Sequence, residues 1–324
     1  MKKSIAVVSL MSFICAIGFT ASIVSAQSYP SQTITIINTV PAGGGADTTN
    51  RVLLEDLEKA VGAKMVVVNK PGASDTLGTD FVVRAKKDGY TIGYGSSMGL
   101  VYIRVTKPEI VPYDPIKDLE LLGVHAFYPI AVAVKADSPW KTFGELVEYA
   151  KANPGKLTVG TSGIGSTANF NLELSQALTG AKFTHVPLAG GPAVITALLG
   201  GHVEVSYDML GKFTPYVAAG KLRLLVTGKK MASLPDLPTM KELGYKQDLL
   251  SGWLPMFVPA GVPEEVKKVL VPALKKAASN PEAKAKLDKL GFIVDYKSPE
   301  EAKKLLVEDY ETALSIAVKI GLRK

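Results

Sequence analysis

Short β-branched runs alternate with helical patterns from Ser31 almost to the end of this 324-residue chain, and this alternation constrains the fold most. It is typical of an α/β fold with mostly parallel sheets. Strands are predicted over residues 33–37, 65–69, 90–94, 157–161, 183–186, 203–207 and 222–226. Helices are predicted over residues 48–61, 76–86, 143–151, 167–178, 193–199, 262–278 and 299–320, the last as an amphipathic packing helix.

Two apolar extended stretches, residues 128–134 and 253–259, interrupt this alternation and bracket a block of domain size. They suit two strands that cross between two lobes, with the chain returning to the first lobe at its end. The alternative is that both are core strands of a single sheet. We therefore expect a first lobe from residues 27–127 plus 252–324 and a second lobe from residues 128–251.

The first 26 residues predict a cleaved export signal. Lys2 and Lys3 precede a mostly apolar run, and Val24-Ser25-Ala26 resembles a signal-peptidase site. An uncleaved membrane anchor fits less well, because the apolar run contains four Ser and Thr residues. Cleavage would remove Cys15, the only cysteine, and leave no disulfide and no cysteine metal ligand. We expect an exported, soluble protein.

The charge of the chain argues against nucleic acid as a partner. The formal charge is +7, and loss of Lys2 and Lys3 would lower it to +5. The basic residues are spread along the chain without a long block, unlike a nucleic-acid interface. A mild positive field favours small anions instead.

A glycine-rich turn, V-P-A-G-G-G-A-D at residues 40–47, lies between the first predicted strand and helix. Such a turn presents backbone N–H groups and the positive end of a helix dipole, which together bind anions. It has neither the Lys-Ser/Thr of a P-loop nor the G-x-G-x-x-G spacing of a dinucleotide site. It therefore indicates a small anion, or a plain turn without a ligand.

A second glycine turn, G-T-S-G-I-G-S-T at residues 160–167, again lies between a strand and a helix. Ligand clefts of such sheets lie beyond the carboxyl ends of the strands. Two such turns facing each other from two lobes would clamp a carboxylate with backbone N–H groups and hydroxyls.

Three other signals predict chemistry less well. Residues 163–168 match G-x-G-x-x-A, but no acid ends the next strand, so a dinucleotide site is not expected. Residues 95–99 match G-x-S-x-G, which makes a serine hydrolase using Ser97 the enzymatic alternative. The three histidines, His125, His185 and His202, lack a metal-binding spacing. We expect a non-enzyme with no catalytic residue, metal or cofactor.

The order and spacing of several motifs resemble the substrate-binding proteins of tripartite tricarboxylate transporters, also called Bug proteins, which are periplasmic carboxylate receptors. The motifs are Y-P-S at 29–31, A-G-G-G-A-D at 42–47, N-K-P-G-A at 69–73, D-G-Y-T at 88–91, G-T-S-G-I-G-S at 160–166, H-V-P at 185–187, L-P-D-L-P-T at 234–239 and P-A-G-V-P at 259–263. The resemblance covers essentially the whole mature chain.

The resemblance implies a two-lobed periplasmic-binding-protein fold that closes on a small organic carboxylate, with integral membrane subunits of a transporter as partners. We expect a monomer. The motif positions carry over to Ala42, Gly43, Gly44, Asp47, Thr76, Thr161, Ser162, Ser166 and Asp208 as ligand-binding residues. The loops that hold them add Val40, Ser74, Asp75 and Ser96.

Two departures from the family pattern bear on ligand selection. Val40 stands where the family has an aromatic residue, and Ser74-Asp75-Thr76 replaces G-G-N in the second loop. An ionised Asp75 would repel a second carboxylate if buried. It would otherwise pair with an ammonium group or metal ion on the ligand, or point outward, which is the orientation we expect. A sensor-linked receptor is the second non-enzymatic hypothesis, because it would share the same pocket.

Overall fold

The computed structural model describes residues 29–231, 233–319 and 321–323. The predicted export signal and the predicted last helical residue, 320, lie outside the described residues. The strands are β1 (Ile34–Asn38), β2 (Met65–Asn69), β3 (Thr91–Tyr94), β4 (Leu119–Tyr128), β5 (Ile130–Lys135), β6 (Thr158–Thr161), β7 (Thr184–Pro187), β8 (Val205–Met209), β9 (Leu222–Thr227), β10 (Gly252–Pro259) and β11 (Ile293–Lys297).

Helices cover both sheets. They are α1 (Gly45–Val61), α2 (Thr76–Val83), α3 (Ile103–Thr106), α4 (Phe143–Ala152), α5 (Thr167–Thr179), α6 (Gly191–Leu199), α7 (Leu210–Ala218), α8 (Glu264–Ala278), α9 (Pro281–Lys289) and α10 (Pro299–Lys319), with a π-helical turn at Met98–Tyr102 and a 3-10 turn at Pro108–Ile110. Within the described residues, no helix combines the length and apolarity needed to cross a membrane.

The strands form two sheets, which confirms the predicted two-lobed α/β class. The first sheet has the order β11-β4-β10-β3-β1-β2 and the second β7-β6-β8-β5-β9. The sheets are mixed rather than mostly parallel. The βαβ units β2-β1-β3 and β7-β6-β8 are parallel, whereas β4, β5, β9, β10 and β11 pair antiparallel. Parallel pairing needs a crossover connection. Of the antiparallel strands, β4 and β5 follow each other across the two sheets, β11 and β9 are edge strands, and β10 lies between β4 and β3.

The two predicted crossings differ in the structure. The first crossing lies where predicted, because β4 in the first sheet ends at Tyr128 and β5 in the second begins at Ile130. The second predicted crossover strand, residues 253–259, lies entirely in the first sheet as part of β10, so the return crossing is made by residues 228–251. The alternative of a single sheet is wrong. The exact lobe boundaries stay a prediction.

One cluster of buried hydrophobic side chains includes residues of both sheets. It includes Ile36 and Met256 of the first sheet and Val132 and Val205 of the second, all at most 1% exposed. Each sheet is covered by amphipathic helices. On α1, for example, Leu53 and Leu57 are buried, and Gly62 ends the helix in the left-handed region.

Candidate functional site

A cavity of about 1000 Å³ lies between the two sheets. Its wall includes residues at or just after the carboxyl ends of β1, β2 and β3 in the first sheet and of β6, β7 and β8 in the second. This is the place where ligands bind in open α/β sheets. Both glycine turns lie on this wall, facing each other from the two lobes.

The amino-terminal ends of four helices meet at this cavity. Gly44–Ala46 of α1 contribute from the first lobe, and Ser166–Ala168 of α5, Gly190–Pro192 of α6 and Gly211–Lys212 of α7 from the second. The first N–H groups of a helix have no carbonyl partner within that helix, and the helix dipole adds partial positive charge there. The cavity is therefore suited to hold an anion by backbone groups.

Asp47 lies behind the first loop and is not part of the cavity wall. Its carboxylate accepts four hydrogen bonds, from Asn38 Nδ2 at 2.8 Å, Asn69 Nδ2 at 2.9 Å, the Gly43 N–H at 2.9 Å and Arg51 Nε at 2.9 Å. Burial alone would raise the pKa of Asp47, but these hydrogen bonds outweigh it and lower the pKa. Asp47 therefore ties the loop to the ends of β1 and β2.

Asp75 lines the cavity in the second loop and is only 3% exposed, so the expectation that it points outward is wrong. Ser96 Oγ donates to Asp75 Oδ2 at 2.5 Å. Burial raises the pKa of this carboxyl to about 7, although the hydrogen bond from Ser96 acts in the opposite direction. The helix α2 begins directly after it, and Ser74 and Ser96 join it on the wall.

The second loop holds three successive non-glycine residues at positive φ: Ala73 at 45°, Ser74 at 55° and Asp75 at 71°. Two of these positions are glycine in the family pattern. Left-handed backbone costs an L-residue about 1 kcal/mol or more, and such strain concentrates at binding sites. The loop therefore places Asp75 on the wall at a cost to the fold.

Asp208 reaches the cavity from the opposite lobe, at the end of β8. Its Oδ1 accepts from the Met209 N–H at 2.7 Å and from Lys212 Nζ at 2.7 Å. Its Oδ2 is buried and has no hydrogen-bond partner within the described part of the chain. The Lys212 side chain is about one quarter exposed and also lines the cavity.

The second glycine turn is shaped by its own hydroxyls. Ser166 Oγ donates to the Gly163 carbonyl at 2.7 Å and accepts from the Asn169 N–H at 3.1 Å, so it caps α5. Thr161 is fully buried, and its Oγ1 lies 2.7 Å from His185 Nε2. Ser162 and Ser166 lie on the cavity wall, whereas Thr161 lies behind it.

The rest of the wall is largely apolar, with Val40, Met98, Ile195 and Tyr216 among its members. Tyr128 also lines it, at the end of β4. Gly252 pairs with Tyr128 across the sheet, and a Cβ at Gly252 would overlap the tyrosine ring. Gly252 thus leaves the space in which Tyr128 packs at the crossing between the lobes.

Most of the predicted site residues meet at the cavity. Those on the wall are Val40, Ala42, Gly43, Gly44, Ser74, Asp75, Ser96, Ser162, Ser166 and Asp208. Three do not reach it: Asp47 and Thr161, as described, and Thr76, which is buried with no hydrogen-bond partner for Oγ1 among the described residues. Sequence reasoning missed Tyr128, Thr167, Lys212 and Tyr216, although Lys212 lies one helical turn after Asp208.

The structure gives the hydrolase alternative no support. Ser97 is fully buried, and its Oγ accepts from the Trp253 N–H at 3.2 Å. His125 bonds Tyr94 and the Leu254 carbonyl, so it does not serve Ser97 as a base. Within the described residues there is also no group of three or more His, Cys, Asp or Glu residues that could hold a metal ion.

The two-lobed fold, with a cavity between its sheets at the ends of four helices, defines a solute-binding receptor. The sequence model described as "Tripartite tricarboxylate transporter family receptor" (TctC) matches residues 49–322. The chain therefore belongs to this family, whose members are solute-binding receptors, as the resemblance implied.

Individual relatives agree with this assignment. A Cupriavidus necator protein, described as "UPF0065 protein in gbd 5'region", is 34% identical over 95% of this chain and 94% of its own length. A Rhodopseudomonas palustris protein solved with adipate superposes with a TM-score of 0.82 at 25% identity, covering 90% of this chain and 98% of that one. MatC from Rhodopseudomonas palustris, solved with malate, superposes with a TM-score of 0.79 at 25% identity, covering 89% of this chain and 99% of that one.

Proposed function

We propose that this protein binds a small organic carboxylate in the interlobe cavity and delivers it to the membrane subunits of a tripartite tricarboxylate transporter. The observation that carries the proposal is the meeting of helix amino termini from both lobes at one cavity. Each charge-assisted hydrogen bond to a carboxylate contributes about 1.5–3 kcal/mol. Several of them hold an anion without a buried arginine.

The first loop and the second glycine turn supply the donors in this proposal. The backbone N–H groups of Ala42, Gly45 and Ala46 are the donors from the first lobe, because those of Gly43 and Gly44 already bond Asp47 and the Pro41 carbonyl. The donors from the second lobe are the N–H groups of Thr167 and Ala168 and the Ser162 hydroxyl. Asp47 fixes the first loop, and Ser166 fixes the second through its cap. A ligand that contacts both sets stabilises a closed arrangement of lobes 27–127 plus 252–324 and 128–251.

Two solved relatives hold malate and adipate, which supports a carboxylate as the ligand class. The transporter as partner is supported by family membership. We further propose that residues 1–26 direct export to the periplasm, where such a receptor meets its transporter, and that the chain acts there as a monomer.

A receptor that presents its ligand to a membrane sensor would use the same cavity, so the ligand does not separate the two functions. Deletion of the gene separates them. Loss of carboxylate uptake with normal gene induction supports the transporter, and loss of induction with normal uptake supports the sensor.

A thermal-shift screen of the mature chain tests ligand class. The panel contains mono-, di- and tricarboxylates, amino acids and aromatic acids, with chloride and sulfate salts as ionic controls. A ligand at 100 times its dissociation constant adds about 2.7 kcal/mol of stability. We expect at least one organic acid to raise the melting temperature clearly. If no organic acid does so while the protein is folded, the receptor proposal fails.

A further inference from the structure

Within the described residues, the cavity wall carries two acidic side chains, Asp75 and Asp208, and one basic side chain, Lys212. Lys212 Nζ lies 2.7 Å from Asp208 Oδ1, so this pair neutralises itself within the second lobe. Asp75 has no such partner. In the described part of the chain its charged form is stabilised by hydroxyl and backbone groups, Ser96 among them, and by no basic side chain.

Burial of an acid without a cation is costly unless the acid takes up a proton or a ligand supplies the cation. Asp75 is only 3% exposed and lines the space that the ligand would occupy. The loop also holds it at φ 71°, in a conformation that an L-residue rarely adopts. The unpaired charge therefore costs the empty protein stability, and a cationic group of the ligand would recover this electrostatic part of the cost.

We propose that the ligand carries a cationic amino group as well as its carboxylate, and that Asp75 with Ser96 receives this group. The inference rests on the proposed function, because the carboxylate end is held by the helix amino termini. The substrate class is then a zwitterion, such as an amino acid, rather than a plain diacid. Asp75 is a specificity-determining residue of the site.

The ionised form of Asp75 opposes a second carboxylate there. Two like charges a few ångströms apart in a largely buried site repel each other, and the repulsion is weakened little by salt. The titratable groups that face Asp75 are Tyr113 and Tyr128, both neutral phenols whose pKa burial raises, to about 12 for Tyr113. Neither supplies the missing positive charge.

Matched pairs of ligands that differ only by one amino group test the proposal on the mature chain. The pairs are 4-aminobutyrate with butyrate, glutamate with glutarate, and alanine with propionate, measured by isothermal titration calorimetry. We expect the amino member of at least one pair to bind about 10-fold tighter or more. If every plain acid binds as well as its amino partner, or better, the inference is overturned while the carboxylate-receptor proposal stands.

Asp75→Asn removes the charge and keeps the shape, and asparagine tolerates a positive φ well. In this variant the preference for the amino member should fall to within about 2-fold. Asp137→Asn, at an exposed acid in the second lobe, is the matched control and should keep the wild-type preference. An unchanged preference in Asp75→Asn contradicts the inference.

Proton exchange on binding gives a readout that a structural role would not change. Because the pKa of Asp75 is raised to about 7, the empty protein is largely protonated there near pH 6, and an incoming ammonium group should release this proton. Titration in two buffers of different ionisation enthalpy should show proton release for the amino ligand and none in Asp75→Asn. Proton uptake with the amino ligand would contradict the proposal.

Ser96→Ala is a second variant in case Asp75→Asn does not fold. It removes the hydroxyl that stabilises the charged form of Asp75. The amino-group preference should then fall near pH 6 and return at higher pH, where Asp75 is ionised in either protein. If none of the six acids binds the folded wild type but a plain acid of the thermal-shift panel does, the inference is overturned and the proposed function stands. If no organic acid of either set binds, both fail.

Discussion

The two loops of the first lobe carry one buried carboxyl each, and the two carboxyls differ in their hydrogen bonding and in the direction of their pKa shift. Asp47 in the first loop accepts four hydrogen bonds, one of them from Arg51, whereas Asp75 in the second loop lies on the cavity wall without a basic partner. The pKa of Asp47 is lowered and that of Asp75 is raised to about 7. Equal burial therefore produces a structural acid in one loop and a ligand-facing acid in the other.

The difference follows from the strands behind each loop. β1 and β2 both end in asparagine, and the Asn38 and Asn69 amides converge on Asp47. β3 is followed by Ser96, which provides a single hydroxyl for Asp75. The carboxyl of Asp75 is therefore left with few hydrogen bonds beside the cavity, whereas both carboxylate oxygens of Asp47 are hydrogen-bonded and hold the first loop.

The largest effect should be the pH dependence of stability that Asp75 imposes. Burial raises the pKa of Asp75 from 3.8, the ordinary value of an aspartate, to about 7 in the folded state, so folding favours the protonated form. Stability from this group is fully present below about pH 4 and falls as the pH rises to about 7, by about 4 kcal/mol in total. Asp75→Asn should remove this slope and be more stable than wild type near pH 8.

Urea unfolding of wild type, Asp75→Asn and the control Asp137→Asn at pH values from 4 to 8 measures this slope. The control should follow the wild type. Equal slopes in the wild type and in Asp75→Asn would show that Asp75 is not buried as an unpaired acid.

Asp47→Asn should lower the free energy of unfolding, whereas Asp75→Asn should raise it. Its amide would face the donors of Asn38, Asn69, Gly43 and Arg51, leaving buried donors without an acceptor, at a cost of about 3 kcal/mol. Urea unfolding at neutral pH should therefore show Asp47→Asn below wild type. If Asp47→Asn and Asp75→Asn change stability in the same direction, the contrast between the two loops is wrong.

Lys212→Met tests whether the stability of the protein depends on the ion pair between Lys212 and the buried Asp208. Asp208 would lose its cation while remaining buried, and the protein should lose about 2 kcal/mol at low salt. Chemical unfolding of this variant at low and high salt measures the effect, beside the control Lys135→Met, whose lysine is 40% exposed and pairs with the exposed Asp137. If Lys212→Met lowers the free energy of unfolding by less than Lys135→Met does, the pair of Lys212 with Asp208 contributes nothing to stability.

Ser166→Ala should have the smallest effect, about 1 kcal/mol, because it removes one helix cap. Thermal unfolding measures it, with Ser162→Ala on the same turn as the control for stability only, because Ser162 is a proposed ligand donor. Ser166 also donates to the Gly163 carbonyl and so holds the second glycine turn in shape. Ligand affinity should therefore fall in Ser166→Ala even where the variant is fully folded. Equal affinity in the variant and wild type would contradict a role for this turn.

Much of the fold was predictable from periodicity. β2 matches its predicted bounds, and α1, α4, α5 and α8 lie close to theirs. α7 was missed because Gly211 and Pro215 interrupt its pattern, although Pro215 lies within the helix. That omission also hid Lys212, since its contact with Asp208 depends on the helix that begins at Leu210.

Side-chain direction was the part of the site that sequence did not determine. Thr161 and Ser162 are neighbours at the end of β6, and only Ser162 lies on the cavity wall. Asp75 was expected to point outward because a buried, unpaired acid is unfavourable, and no local pattern predicts that a fold will accept this cost. The glycine turns were found because backbone groups at a helix start act regardless of side-chain direction.

The central claim is that backbone N–H groups at helix amino termini hold the ligand carboxylate. Thr167 is the first residue of α5 and lines the cavity, and Ser166 before it has the extended backbone that proline requires. Thr167→Pro removes the N–H and the hydroxyl, and Thr167→Val removes the hydroxyl alone. The measurement is calorimetric affinity for the acid that gives the largest thermal shift. We predict that Thr167→Pro weakens binding about 10-fold beyond Thr167→Val. Equal affinities in two folded variants would contradict the claim.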